Sequence, residues 1–212
     1  MRKLLTITSA VALAIASSAA MAVTAQSGVF VTGGVGIGAL KTPTNFPTGQ
    51  GYSTKNYGFA WDAGLGYQQA LNTNILVGLE FGYAQLGKSS FSSDATGGTT
   101  ESFTNKAWQV LLSGTYLWNN GFNLFVNGGA ARVKTDASGT YHGDSSTKTR
   151  PVIGFGAGYQ FTQSIGANVA YEHMFGKDYS DANDLNTNST TPATSSTLTL
   201  NLTYTFPMPA SM

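Results

Sequence analysis

From Thr197 to Phe206 every second residue is apolar (Leu198, Leu200, Leu202, Tyr204, Phe206), and every residue between is small and polar. Successive side chains of a strand point to opposite faces, so this is a strand with one greasy and one wet face. The pattern recurs along most of the chain. It predicts strands at Val29–Ala39, Tyr57–Gln68, Ile75–Gln85, Lys106–Trp118, Phe122–Lys134, Val152–Phe161, Ile165–Phe175 and Thr197–Phe206. Each is near the ~10 residues that a tilted strand needs to cross a bilayer's apolar layer.

The connections have a rhythm of their own. Gln69–Asn74, Asn119–Gly121 and Thr162–Ser164 are short and uncharged, whereas Leu40–Asn56, Leu86–Asn105, Thr135–Pro151 and Gly176–Ser196 are long and rich in Ser, Thr, Gly, Asn and Asp. Short turns alternating with long loops are expected of a membrane barrel with both termini on the periplasmic side. The prolines are expected to avoid strand interiors, with Pro151 beginning a strand.

The beginning of the chain reads as a removed leader. Met1-Arg2-Lys3 is a charged start, Leu4 to Ala16 a short apolar run, and Ala20-Met21-Ala22 a small-residue cleavage site, with Val23-Thr24-Ala25 as a second choice. The expected organisation is a signal peptide over 1–22 (cleavage after 25 being the alternative), a barrel domain over 23–212, and within it a tail at 207–212 hanging in the periplasm.

Without Arg2 and Lys3 the chain has nine basic residues against 10 acidic ones, so no basic stripe speaks for nucleic acid. Charged residues make up only 10% of the chain, against about 25% in soluble proteins. The absence of cysteine excludes disulfides and thiolate chemistry.

Alternation alone does not say which face meets lipid. Volume decides it. An eight-stranded barrel has a bore only wide enough for side chains. The apolar set is bulky, with Trp61, Trp108 and Trp118, and the opposite set is expected to be small or polar, with Gly34, Gly64, Gly78, Gly154, Gly156, Asn127, Asn168 and Thr199. The apolar set therefore faces outward. Tyr67, Tyr116, Trp118, Phe122, Tyr159, Phe161, Tyr204 and Phe206 gather at the periplasmic strand ends, while Tyr57, Phe59, Tyr83 and Tyr171 lie toward the other rim, as in the two aromatic belts of membrane barrels.

In order and spacing, Gly66-Tyr67-Gln68, Val77-Gly78-Leu79-Glu80-Phe81-Gly82-Tyr83 with Leu86-Gly87-Lys88, Pro151-Val152 with Tyr159 and Ile165, and Leu198-Thr199-Leu200 with Tyr204-Thr205-Phe206 carry a resemblance. The chain resembles the transmembrane domain of the outer membrane protein A family, and more loosely the OmpX and opacity-type barrels, without a peptidoglycan-binding domain. The resemblance implies an all-β, eight-stranded antiparallel up-and-down barrel in the outer membrane of a Gram-negative bacterium. It implies an interior acid at Glu80, but the positions where the family sets facing basic residues hold Ser113 and Thr205. It also implies that Tyr204 and Phe206 end the assembly signal read by the barrel-insertion machinery.

By strand phase Asp62, Glu80, Asn127 and Glu172 point into the lumen. Two readings fit them: a conduction path, or interior plug chemistry in which carboxylates bond to amides and hydroxyls. A filled bore favours the plug. Arg132 and Lys134 face outward near the extracellular rim, where they could meet lipopolysaccharide phosphates or simply snorkel. Only His142 and His173 are available as imidazole bases, and Glu172 beside His173 faces the opposite side, so no catalytic set is expected. Asp178, Asp181 and Asp184 lack calcium-loop spacing. The expectation is a monomeric barrel without catalytic, cofactor or metal site. It would contact outer-membrane lipid and act through its loops in adhesion or envelope integrity, with host or cell-surface ligands as partners. The alternative is a narrow, low-conductance pore.

Overall fold

The computed structural model describes residues 23–40, 52–93, 99–138, 146–176 and 194–208. The strands are β1 (Gly28–Leu40), β2 (Tyr52–Lys55), β3 (Tyr57–Ala70), β4 (Ile75–Ser93), β5 (Thr99–Leu117), β6 (Phe122–Ser138), β7 (Ser146–Gln160), β8 (Ile165–Met174) and β9 (Ser195–Pro207). β2 and β3 both pair with β4 and together make one stave, so the nine strands close as an eight-stave antiparallel barrel. β1 closes the ring by pairing β9, from Gly28↔Pro207 to Leu40↔Ser195.

The faces fall as the volume argument requires. Ile37, Leu112, Val126 and Leu202 stand outward, each more than 60% exposed, whereas inward Val133 is 0% exposed. An apolar surface on this scale, continuous around a closed sheet, needs lipid rather than water around it. Rings meet along both belts. Tyr116, Trp118 and Phe122 touch at the periplasmic end, as do Tyr204 and Phe206; Trp61, Tyr83, Trp108 and Phe81 form the opposite cluster.

The short turns are built by side chains that imitate backbone acceptors. Asn72 Oδ1 accepts from the Asn74 and Ile75 amides at 2.8 Å each, and Thr162 Oγ1 accepts from the Ser164 and Ile165 amides. Gly121, with φ +87°, turns the chain between β5 and β6.

Several expectations change. Much of the predicted loop Leu86–Asn105 is ladder: β4 and β5 run 19 residues each and pair out to Ser93↔Thr99. Backbone pairing does not depend on apolar alternation, so the ladder continues where that alternation has stopped. A bulge between Gln85 and Lys88 adds one residue to β4, and Gly87 there has φ +113°. The extra residue brings Lys88 into register with Thr104, on the outward phase of Lys106.

Pro151 lies inside β7 rather than beginning it. Its carbonyl accepts from the Phe175 amide, so its missing N–H falls on the side where β8 ends. The inward set is also less uniformly small than expected, because Phe30, Leu76, Leu111, Leu117, Val133, Val152 and Met174 are buried in the bore. The predicted tail at 207–212 starts too early: Pro207 ends β9 opposite Gly28, and the Met208 amide donates to Ser27 O at 3.0 Å. Pairing with β1 needs no further loop closure once Phe206 is in place, so each added residue costs only its own ordering and the ladder continues to that point. The predicted signal peptide, the remainder of the tail, His142, Asp178, Asp181 and Asp184 lie outside the described residues.

Candidate functional site: a divided bore

The bore has two unlike halves. Toward the extracellular end it is nearly filled, with a void of only about 10 Å³ lined by Leu86, Val152 and Met174 together with Gln109, Ser195 and Thr197. Ala84, Leu86, Ala107, Leu111, Ala131, Val133, Val152 and Met174 form one buried apolar cluster drawn from β4, β5, β6, β7 and β8. Over it, Thr135 Oγ1 donates to Asn105 Oδ1 at 2.8 Å, both residues being buried. Glycine makes the packing possible on the opposite wall: a Cβ at Gly38 would come within 2.2 Å of Leu86 O and within 3.0 Å of Gly87 Cα. The bulged backbone of β4 thus lies against β1 across the intervening β3.

Toward the periplasm the bore opens into a polar cavity of about 150 Å³. Asp62, Glu80, Asn127 and Glu172, expected as an interior network, all line it, with Gln68, Gln109, Ser113, Asn168, Thr199 and Asn201. The structure joins only some of them. Asn127 Nδ2 donates to Glu172 Oε1 at 3.2 Å, and Gln109 donates to the same carboxylate. Asp62 accepts from the Thr199 hydroxyl, and the Asn201 amide, turned with its nitrogen toward the acid, donates to Asp62 Oδ2 at 3.2 Å. Gly34 leaves the space for this: its Cβ would collide with the Asn201 amide and fall 2.8 Å from Asp62 Oδ2. Glu80 has the charges of Glu172 and Asp62 as neighbours, and Gly64 makes room for its carboxylate.

No Lys or Arg lines this cavity among the described residues. Ser113 and Thr205 offer hydroxyls where the resembled family sets cations, so no ion pair crosses the lumen from Glu80 to these positions. Arg150, the nearest inward-phase cation, sits opposite Ala131, with the Val152–Met174 pair between it and Glu172. The periplasmic mouth is narrowed by buried Phe30, Leu76 and Leu117 and crossed by the segment before β1. There the Val23 amide donates to Asn119 O, the Ala25 amide donates to Thr73 O at 3.0 Å, and Gln26 O accepts from Gln68 Nε2 at 3.0 Å.

Sequence phase placed the three carboxylates but missed Thr199, Asn201 and Gln109 as their partners. Those residues were legible as inward-facing; which of them meets which acid depends on register across long connections. The apolar cluster was missed for a different reason. Leu111, Val133, Val152 and Met174 are inward by parity, and summing their volumes would have revealed it.

On the outer face, Arg132 and Lys134 are both exposed at the extracellular rim. Lys134 Nζ donates to Asp136 Oδ1 at 3.2 Å, and Lys106 Nζ to Asp136 Oδ2 at 3.0 Å. The Lys106 hydrogen bond, reinforced by Lys134, holds the Asp136 carboxyl below the usual carboxylate range, and the same bond raises Lys106. His173 stands outward with Ser196 Oγ 2.9 Å from its Nδ1, and the Tyr171 hydroxyl also bonds Ser196, while Glu172 faces the lumen. Tyr204 and Phe206, expected as the end of the assembly signal, are outward neighbours on β9 with ring centroids 4.8 Å apart.

An apolar outer belt, polar short turns and a closed eight-stave ring define a membrane-spanning β-barrel of the outer-membrane kind. The chain belongs to the outer membrane protein beta-barrel domain family, whose model matches residues 8–208. Its place is the bacterial outer membrane. No curated protein matches the chain. Among solved structures it is similar to OprG of Pseudomonas aeruginosa, at 12% identity and TM-score 0.51, covering 87% of this chain and 99% of that one. It is also similar to Ail, the attachment invasion locus protein of Yersinia pestis, in complex with the heparin analogue sucrose octasulfate, at 14% identity and TM-score 0.50, covering 86% and 100%. At such identities the likeness concerns the fold.

Proposed function

We propose that this barrel is a sealed scaffold that acts through its extracellular loops, in adhesion or in envelope integrity, and does not pass solutes through its bore. The observation that carries the reading is the apolar cluster around Leu86 and Met174, which lies across the extracellular half of the lumen and leaves a void of only about 10 Å³ there. A conducting path there would require water or ions to cross packed aliphatic side chains, and dewetted constrictions of this kind block ions. Strand length adds support. β4 and β5 run well beyond the ~10 residues that cross the membrane and raise a sheet on one side of the rim, a rigid base for binding loops. Tyr204 and Phe206 serve assembly in this reading, as the aromatic end of the strand that closes the ring.

The test replaces each long connection with a short turn and keeps the strands. Loop-less barrels should still shift on a gel between folded and boiled forms, and cells carrying them should lose surface attachment or become sensitive to detergent. A loop-less barrel that keeps both traits, together with a bilayer conductance altered by Glu80→Ala, would replace the scaffold reading with a pore.

A further inference from the structure

The outer wall changes character in one sector just above the aromatic belt. Outward positions on β5 and β6 run in register as Trp108↔Arg132, Lys106↔Lys134 and Thr104↔Asp136. β7 sets Thr149 beside Arg132 and Thr147 beside Lys134, both exposed. Three cations of β5 and β6 therefore share a patch with one anion, and exposed Lys88 of β4 stands beside Thr104 on the same face. Asp136 is bonded by both lysines, while Arg132 makes no ion pair among the described residues. The outward ends of β1, β3, β8 and β9 carry Ala39, Tyr57, His173 and Ser196, with no Lys or Arg.

This arrangement is unfavourable for the barrel alone. Like charges directly opposite on a sheet destabilise it, and the single charge of Asp136 does not neutralise the cations around it. The cost is recovered if an anion sits there in the membrane. Trp108 marks the interface, because indole rings settle at head-group level. Lys106 and Lys134 lie one outward step beyond it, the depth of lipid phosphates. A phosphate monoester carries about −1.5 to −2 charges near neutral pH, which the positive excess of the patch is enough to neutralise. Arg132 can bind it with two parallel N–H bonds, and the two Thr hydroxyls are further donors. Asp136 holds the lysines as a pair on one side.

We infer that the β5–β6 outer wall is a binding site for the phosphate of an outer-leaflet glycolipid, formed by Arg132, Lys106 and Lys134 with Asp136 as their organiser. The inference rests on the membrane placement of the barrel and is independent of what the loops bind.

The test uses the mature protein refolded in detergent, with bisphosphorylated lipid A and its dephosphorylated form as probes, read by native mass spectrometry. The phosphorylated lipid should bind about tenfold tighter or more. The triple variant Lys106→Gln, Arg132→Gln, Lys134→Gln should lose that preference and retain a heat-modifiable gel shift, and added salt should weaken the wild-type preference. Arg150→Gln, which removes an inward-phase cation, should keep it. Equal binding of the two lipids, an unchanged preference in the triple variant, or an equal loss in Arg150→Gln would overturn the site. Displacement by millimolar inorganic phosphate would assign the patch to the free ion instead of the lipid.

Discussion

The two halves of the bore are made from the same eight staves, yet they solve the filling problem differently. The extracellular half is filled largely by Leu86, Leu111, Val133, Val152 and Met174. The periplasmic half keeps a cavity and spends its inward positions on carboxylates, amides, hydroxyls and glycines. The difference follows from what each position must do. Glycines at 34, 64 and 154 leave room for long polar side chains to cross the bore, because a Cβ there would strike Asn201, Glu80 and Asn127. In the upper half, aliphatic side chains from five staves meet beside a few buried polar residues, among them Asn105, Thr135, Ser195 and Thr197, and in the proposed reading the aliphatic cluster makes the seal. Polar groups below are tolerable because each acid has hydrogen-bond donors or space for water.

The largest effect expected is at the seam where β4 crosses toward β1. Gly38→Val places a branched side chain onto Leu86 O and the Gly87 backbone, neither of which can yield. We expect a loss of about 3 kcal/mol or more, or failure to fold, read by urea unfolding in micelles and by the heat-modifiable gel shift. A fully stable Gly38→Val would mean that the seam is loose and the upper half is not packed as described. Within the seal, Met174→Ala removes a side chain that is 2% exposed and should cost about 2–4 kcal/mol. In the lower half, Asn127→Ala leaves Glu172 with Gln109 and should cost about 1.5–3 kcal/mol. If Asn127→Ala proved costlier than Met174→Ala, the polar half would be the structural one and the comparison would invert. Smallest of all, Asp136→Asn at the exposed rim should change stability by less than about 1 kcal/mol. Its pH dependence has a definite sign: the carboxyl is depressed in the folded protein, so its contribution is present above the ordinary Asp range and is lost as pH falls through the lowered value.

Much of this was legible in the sequence, for identifiable reasons. Inside the membrane every strand must alternate strictly, so Ile75–Gln85 or Thr197–Phe206 declare both their existence and their lipid face. Phase also places Asp62, Glu80 and Glu172 in the lumen. Legibility ends where lipid ends. The ladder from Lys88 to Ser93 carries no apolar alternation in its sequence and reads as loop. The Gly87 bulge shifts phase by one residue without an apolar marker. The partners of Asp62 come from β9, more than 100 residues away in sequence, and only the closed register of β3, β1 and β9 brings Thr199 and Asn201 to it. The seal escaped because an inward Leu or Met looks like an exception when strands are read one at a time. Five staves contributing to one cluster make it a layer.

The division of the bore is tested most directly by ion conductance across planar bilayers. The folded wild-type barrel should give no steady current steps, while Leu86→Ser combined with Met174→Ser should open measurable ones by wetting the layer. Steady ohmic conductance in the wild type, equal to that of the double variant, would contradict the seal and make the bore a single continuous path.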